Sequence, residues 1–206
     1  MTRAVRFLFA LATLVALAPA GGYAHFKLLE PASWIVESER GDPQKAAPCG
    51  GDAKDKGTPT NAIGKAVGGS KVHLKILETI YHPGHYRVAL AVNSPTELPL
   101  DPVTQTRDSE KGPWSVAATI QNPVQIPVLA DGLFVHAERP AGPMPPFETD
   151  VQLPNISCRK CTLQVVQFMA EHAFNNPGGY SYHHCAELQI TRDAAKPVTP
   201  GWPAER

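Results

Sequence analysis

Twenty-one prolines and sixteen glycines are spread over 206 residues, and they constrain this chain more than any other feature. Proline breaks helix interiors and central strands alike, so it confines regular structure to short pieces between turns. The apolar residues fit that limit. Val72, Leu74 and Ile76 alternate with His73, Lys75 and Leu77 over Lys71–Ile80. A Tyr81-His82-Pro83-Gly84-His85 turn follows, and Tyr86, Val88, Leu90 and Val92 alternate after it. Short apolar runs recur at 114–120, 124–129, 133–136, 151–153, 162–169 and 186–191. The two-residue period indicates strands. The expected fold is all-β, an antiparallel sandwich of two sheets with long loops. Residues 38–70 are Gly- and Pro-rich and read as a functional or tied-down loop with room for one short helix. Residues 137–148 read as a surface loop.

The first 24 residues read as an export signal. Arg3 and Arg6 form a positive start, Val5–Ala18 is nearly all apolar, and Gly22-Tyr23-Ala24 offers small residues for cleavage. The expected organisation is a signal peptide over 1–24, a sandwich domain over 25–192 and a loose Pro-containing tail over 193–206. About 182 residues would remain, enough for one domain with a core. Lys+Arg and Asp+Glu are both 19. That balance gives no basic surface for nucleic acid and no charged tail. After the signal no apolar run is long enough for a membrane span. The expected protein is secreted or periplasmic and monomeric.

The cysteines are Cys49, Cys158, Cys161 and Cys185. Four behind an export signal favour two disulfides, and three pairings are possible. Cys49–Cys185 with Cys158–Cys161 is preferred, because the second pair is three positions apart at a strand entry. Closing the long loop is worth about 4–5 kcal/mol in the chain-entropy model. A zinc site and a thioredoxin-like redox motif are the alternatives, and the second lacks the helix it requires.

Cleavage between Ala24 and His25 would make His25 the mature N-terminus. One residue would then offer an α-amine and an imidazole to the same metal ion. His82 or, alternatively, His85 in the following turn could add a third nitrogen. Three such nitrogens in a tetragonal set favour copper. Both could equally be plain turn residues. In Glu171–Leu188, Tyr182 could take a weak axial position and His172 could exchange a proton. The bland reading of that stretch is an aromatic turn packed beside a disulfide. His183 and His184 are adjacent on a strand and point to opposite faces, so they do not share one ion. Asn155-Ile156-Ser157 has the form of a glycosylation acceptor.

Three stretches taken together resemble lytic polysaccharide monooxygenases (LPMO) and their chitin-binding type 4 relatives. His25, Leu28, Pro31 and Ser33 follow the N-terminal pattern of bacterial members, with Phe26 and Trp34 as departures. His82-Pro83-Gly84, leading to Leu90, is similar to the turn carrying the second copper histidine in fungal members. The strand Leu163–Met169, then His172, Gly178-Gly179 and Tyr180-Ser181-Tyr182-His183-His184-Cys185-Ala186, follows the fungal C-terminal order. Residues 93–150 carry no resemblance.

The resemblance implies an immunoglobulin- or fibronectin III-like sandwich bearing one mononuclear copper ion. His25 and His82 would form a histidine brace, with Tyr182 axial and His172 beside the metal. Tyr180 would stand where the fungal pattern has an oxygen-orienting Gln. The implied activity is oxidative cleavage of glycosidic bonds in chitin- or cellulose-like polysaccharide, at C1 or C4, with an external electron donor. Trp34 and Tyr81 are candidates for a polymer-facing surface, and Trp34 equally for the core. Two other classes compete: an exported copper carrier or sensor with the same brace, and a carbohydrate-binding module without copper.

Overall fold

The computed structural model describes residues 25–206. The expected signal peptide over 1–24, and with it the Ala24 side of the cleavage site, lies outside the described residues. Ten strands form among the described residues: β1 His25–Glu30, β2 Ile63–Val67, β3 Lys71–Ile80, β4 Gly84–Ala91, β5 Thr104–Arg107, β6 Trp114–Ala118, β7 Val128–His136, β8 Phe147–Gln152, β9 Cys158–Met169 and β10 Ser181–Thr191. One sheet has the order β1-β3-β8, a second β2-β10-β9-β4-β7, and β5 pairs with β6 as a ribbon. The first two pack face to face as the expected all-β sandwich. Phe26, Leu28, Leu74 and Ile76 of one sheet share a core with Tyr86, Val88, Leu90, Leu163, Val165 and Leu188 of the other. Alternation puts these residues inward.

The strands depart from the sequence reading where apolar pattern and burial part company. β2 pairs in parallel with β10 inside the expected loop. Its inward residues are Gly64 and Ala66, while Ile63 and Val67 are exposed, so its apolar residues marked the wrong face. Val124–Leu129 and Leu133–His136 were expected as separate runs, but one strand, β7, covers Val128–His136. Asp131 interrupts the apolar pattern there, yet its buried carboxylate accepts the Gln121 and Gly132 N–H groups. Residues 38–70 form turns and β2 with no helix. The one helical piece among the described residues is a 3-10 turn at Pro95–Glu97.

Both expected disulfides are present, Cys49–Cys185 and Cys158–Cys161. No described cysteine is free for zinc or redox chemistry. Trp34 sits against the first of them, its N–H bonded to Cys185 O at 2.8 Å and its indole to Cys49 O at 3.2 Å. That assigns Trp34 to packing rather than to a polymer-facing surface. No helix of the described residues is long and apolar enough to cross a membrane.

The expected loose tail over 193–206 is instead docked. Asn155 is buried, and its side-chain amide donates to the carbonyls of Asp193, Lys196 and Pro197 at 2.9–3.0 Å. Its Oδ1 accepts the Asp193 N–H at 2.9 Å. Trp202 packs on the core, and Glu205 pairs with Arg159. Low apolar content hid this, because polar bonds hold the segment. Asn155→Ala should therefore cost about 2–4 kcal/mol, from lost bonds and stranded carbonyls. Urea unfolding of the variant checks the loss, and amide hydrogen exchange over 193–202 should rise with it.

Candidate metal centre

The site is built around β1, an edge strand whose outer backbone groups have no partner strand among the described residues. Side chains take that role. Gln44 Oε1 accepts the Phe26 N–H at 3.1 Å, and Glu37 Oε1 accepts the Leu28 N–H at 3.0 Å. His184 Nε2 donates to Phe26 O at 3.0 Å. All three are buried, so water cannot substitute for them. Gly41 packs so closely that a Cβ would lie 1.9 Å from Phe26 O, which excludes any other residue.

On its inner edge β1 pairs with β3, and the register shifts between His25 and Phe26. Such an irregularity re-aims a side chain. Here it leaves both His25 and Phe26 buried. Phe26 enters the core, edge-on to Tyr86 and His184. The His25 ring stands edge-on to Tyr182 at 5.3 Å. His25 Nε2 lies 3.1 Å from Asp42 Oδ2. Chelation together with the α-amine would use the other ring nitrogen, Nδ1. A carboxylate on one imidazole nitrogen fixes the tautomer that presents the other to a metal.

His82 comes from the turn between β3 and β4. Gly84 ends that turn against β9, where a Cβ would lie 1.9 Å from Phe168 O. The turn is gripped at Pro83 O by the Ala170 N–H, 2.8 Å, and at His82 O by His136 Nε2, 2.7 Å. The His82 ring stacks edge-on to His172 at 4.8 Å. Burial, and then the charges of His172 and His25, push its pKa down to about 4. The imidazole is neutral at ordinary pH, and its buried Nδ1 has no hydrogen-bond partner. An orphaned nitrogen on a neutral imidazole fits a metal-binding side chain.

His172 is held from below by β6. Its N–H donates to Ser115 Oγ at 3.1 Å, its carbonyl accepts the Ser115 N–H at 3.0 Å, and its ring Nδ1 donates to Ala173 O. Ser115 Oγ also donates to Met169 O at 2.6 Å. Tyr182 is fully buried on β10 and pairs in register with Gln167 of β9.

His25, His82, His172 and Tyr182 therefore gather at one end of the sandwich. The structure leaves two other candidates outside this group. His85 lies on the outer face of β4, against Phe168 and 3.9 Å from Asp131 Oδ1. Tyr180 packs on the exposed Phe174, with its hydroxyl donating to Pro113 O at 3.2 Å. Tyr81 is edge-on to His136 at 5.6 Å. His183 and His184 diverge as alternation requires, the first to Asp101 at 2.7 Å and the second to Phe26 and Glu37.

Sequence reasoning missed Asp42, Gln44, Glu37, Ser115 and His136. No group of three or more His, Cys, Asp or Glu side chains among the described residues is arranged to hold a metal ion. A brace needs only two imidazoles, because its third nitrogen is the α-amine. No protein-family model matches this chain, and no curated protein matches it.

Below about pH 7 the Glu37–His184 contact is a neutral pair. Burial raises the Glu37 carboxyl to about 7, against the opposing pull of Leu28 N–H, Ser33 and Lys27. Burial also drives His184 down to about 3, helped by the charges of His183 and His25. With Nε2–H spent on Phe26 O, His184 Nδ1 lies 3.1 Å from Glu37 Oε1 without a well-formed hydrogen bond among the described residues. A carboxyl raised from 4.5 to about 7 on folding contributes stability that is full below about 4.5 and lost as pH rises through 7. Glu37→Gln mimics the protonated form and should flatten that loss. Melting curves at pH 5 to 8 are expected to diverge, with the wild type falling relative to the variant as pH rises.

Proposed function

We propose that the protein is an exported histidine-brace copper protein that oxidatively cleaves glycosidic bonds in a chitin- or cellulose-like polysaccharide. The observation that carries this reading is the convergence of His25, His82, His172 and Tyr182 from three distant stretches. They are the residues that the sequence resemblance assigns to such a centre. The two disulfides agree with an oxidising, extracytoplasmic setting.

His25 would bind through its α-amine and Nδ1, with Asp42 steering the ring through Nε2. His82 would bind as a neutral imidazole, with no proton to displace above about pH 4. Tyr182, with its fully buried ring edge-on to His25, would wall the copper from the protein side. His172, beside His82, would hold or pass a proton at its ring. Copper bound there would supply one-electron chemistry on dioxygen or hydrogen peroxide, given an external electron donor. Outside the sandwich core, the immunoglobulin or fibronectin III likeness rests on the same sequence resemblance.

A second reading, a copper carrier or sensor with the same brace, is favoured by one observation. Tyr180 stands where an oxygen-orienting amide would be expected, and it turns to Phe174 and Pro113 instead. A carrier needs no such group.

Protein beginning at His25 is expected to bind one Cu2+ and give an axial electron paramagnetic resonance (EPR) spectrum. One extra residue before His25, or His82→Ala, should weaken binding more than about 100-fold, above the range for outer groups. His85→Ala should leave it unchanged. With ascorbate and hydrogen peroxide on chitin, cellulose and xylan, oxidised oligosaccharides by mass spectrometry support the enzyme. Tight Cu2+ without such products supports the carrier. Equal binding by the extended protein removes the brace.

A further inference from the structure

The geometry points to His136 as a positioning residue for the second metal imidazole, acting through the carbonyl of His82. This inference rests on the reading of His25 and His82 as metal ligands. His82 has no side-chain bond to orient it at Nδ1. Its ring is placed by contact with His172 and by the backbone of its own turn. That backbone has two fixed points. One is Pro83 O, tied to Ala170 two residues before His172. The other is His82 O, 2.7 Å from His136 Nε2.

His136 is an unusually rigid support. Its Nδ1 donates to Phe134 O at 2.6 Å, and its Nε2 also lies 3.1 Å from Glu78 Oε1. Tyr81 stands edge-on to the ring at 5.6 Å and Phe147 lies tilted against it at 5.2 Å. Glu78 is a buried carboxylate on β3 that breaks the apolar alternation of Leu74 and Ile76. It gathers Tyr86 Oη at 2.8 Å and Gln167 Nε2 at 2.7 Å on the same oxygen. Tyr86 and Gln167 belong to the facing sheet. Gln167 is the register partner of both Tyr86 and Tyr182. The two sheets are thus pinned together by polar bonds next to the site, and the His82 turn is hung from that pin. A polar network in a sandwich core costs desolvation, and here Glu78 Oε2 and Gln167 Oε1 are buried without a hydrogen-bond partner among the described residues. Its placement at this end, with one outward bond to the His82 turn, is what a device for holding a ligand requires.

The test uses protein beginning at His25 with both disulfides formed. Cu2+ affinity is measured by calorimetry, ligation by EPR nitrogen couplings, and stability by melting without metal. His136→Phe keeps a flat ring and loses both donors. It is expected to weaken Cu2+ binding by about 10–100-fold, the range for outer groups that orient a ligand, and to change the nitrogen couplings. His136→Gln keeps one donor for His82 O and should recover most of the affinity and the wild-type spectrum. Glu78→Gln keeps the ring and removes its carboxylate, and should show the His136→Phe effect at smaller size. It carries the comparison if His136→Phe does not fold.

Folded variants that melt lower yet bind Cu2+ with unchanged affinity and spectrum would overturn the assignment. So would His136→Gln binding as weakly as His136→Phe. Failure of the wild type to bind Cu2+ is a different result. It removes the brace itself and leaves His136 with no ligand to position.

Discussion

An edge strand with buried, unpaired backbone groups is an unstable object, and β1 is such a strand on one side. Gln44, Glu37 and His184 complete its hydrogen bonding from the side, as a neighbouring strand would. Each bond alone is worth about 1 kcal/mol net, but leaving one of those groups buried and unmet costs more. The strand is therefore held in one register, and the residue at its start is held with it. Everything proposed for His25 depends on this substitution of side chains for a sheet.

The same economy recurs across the site. The long Gly- and Pro-rich loop supplies Asp42 and Gln44, and the Cys49–Cys185 bond ties that loop to β10. The Gln44 carbonyl also accepts the His183 N–H. β6, from the region without any sequence resemblance, supplies Ser115 beneath His172. β7 supplies His136 beneath His82. Residues that would touch the metal come from the recognisable stretches. Most residues that would aim them come from the rest, with His184 the exception.

That division explains what the sequence made legible. Alternation marked β3, β4 and β9 because their inward residues are large and apolar. It failed at β2, where Gly64 and Ala66 face inward, and at Glu78, a carboxylate in a core position. The disulfide pairing was readable from spacing and compartment. His25, His82, His172 and Tyr182 stood out in the sequence because their residue types are scarce and their order is distinctive, and the fold brings them to one end of the sandwich. Asp42, Glu37 and Gln44 lie in a stretch with no period, and only the fold shows which backbone group each meets. Tyr180 and Trp34 show the opposite failure: an aromatic beside a motif goes where packing takes it.

Asn155 carries a further consequence. Its amide nitrogen is the atom a glycan would be joined to, and in the folded chain that atom is committed to three carbonyls. A sugar attached there would take away the amide bonds to the carbonyls of Asp193, Lys196 and Pro197. In any host that modifies such tripeptides during export, folding and sugar transfer are in a race for the same nitrogen.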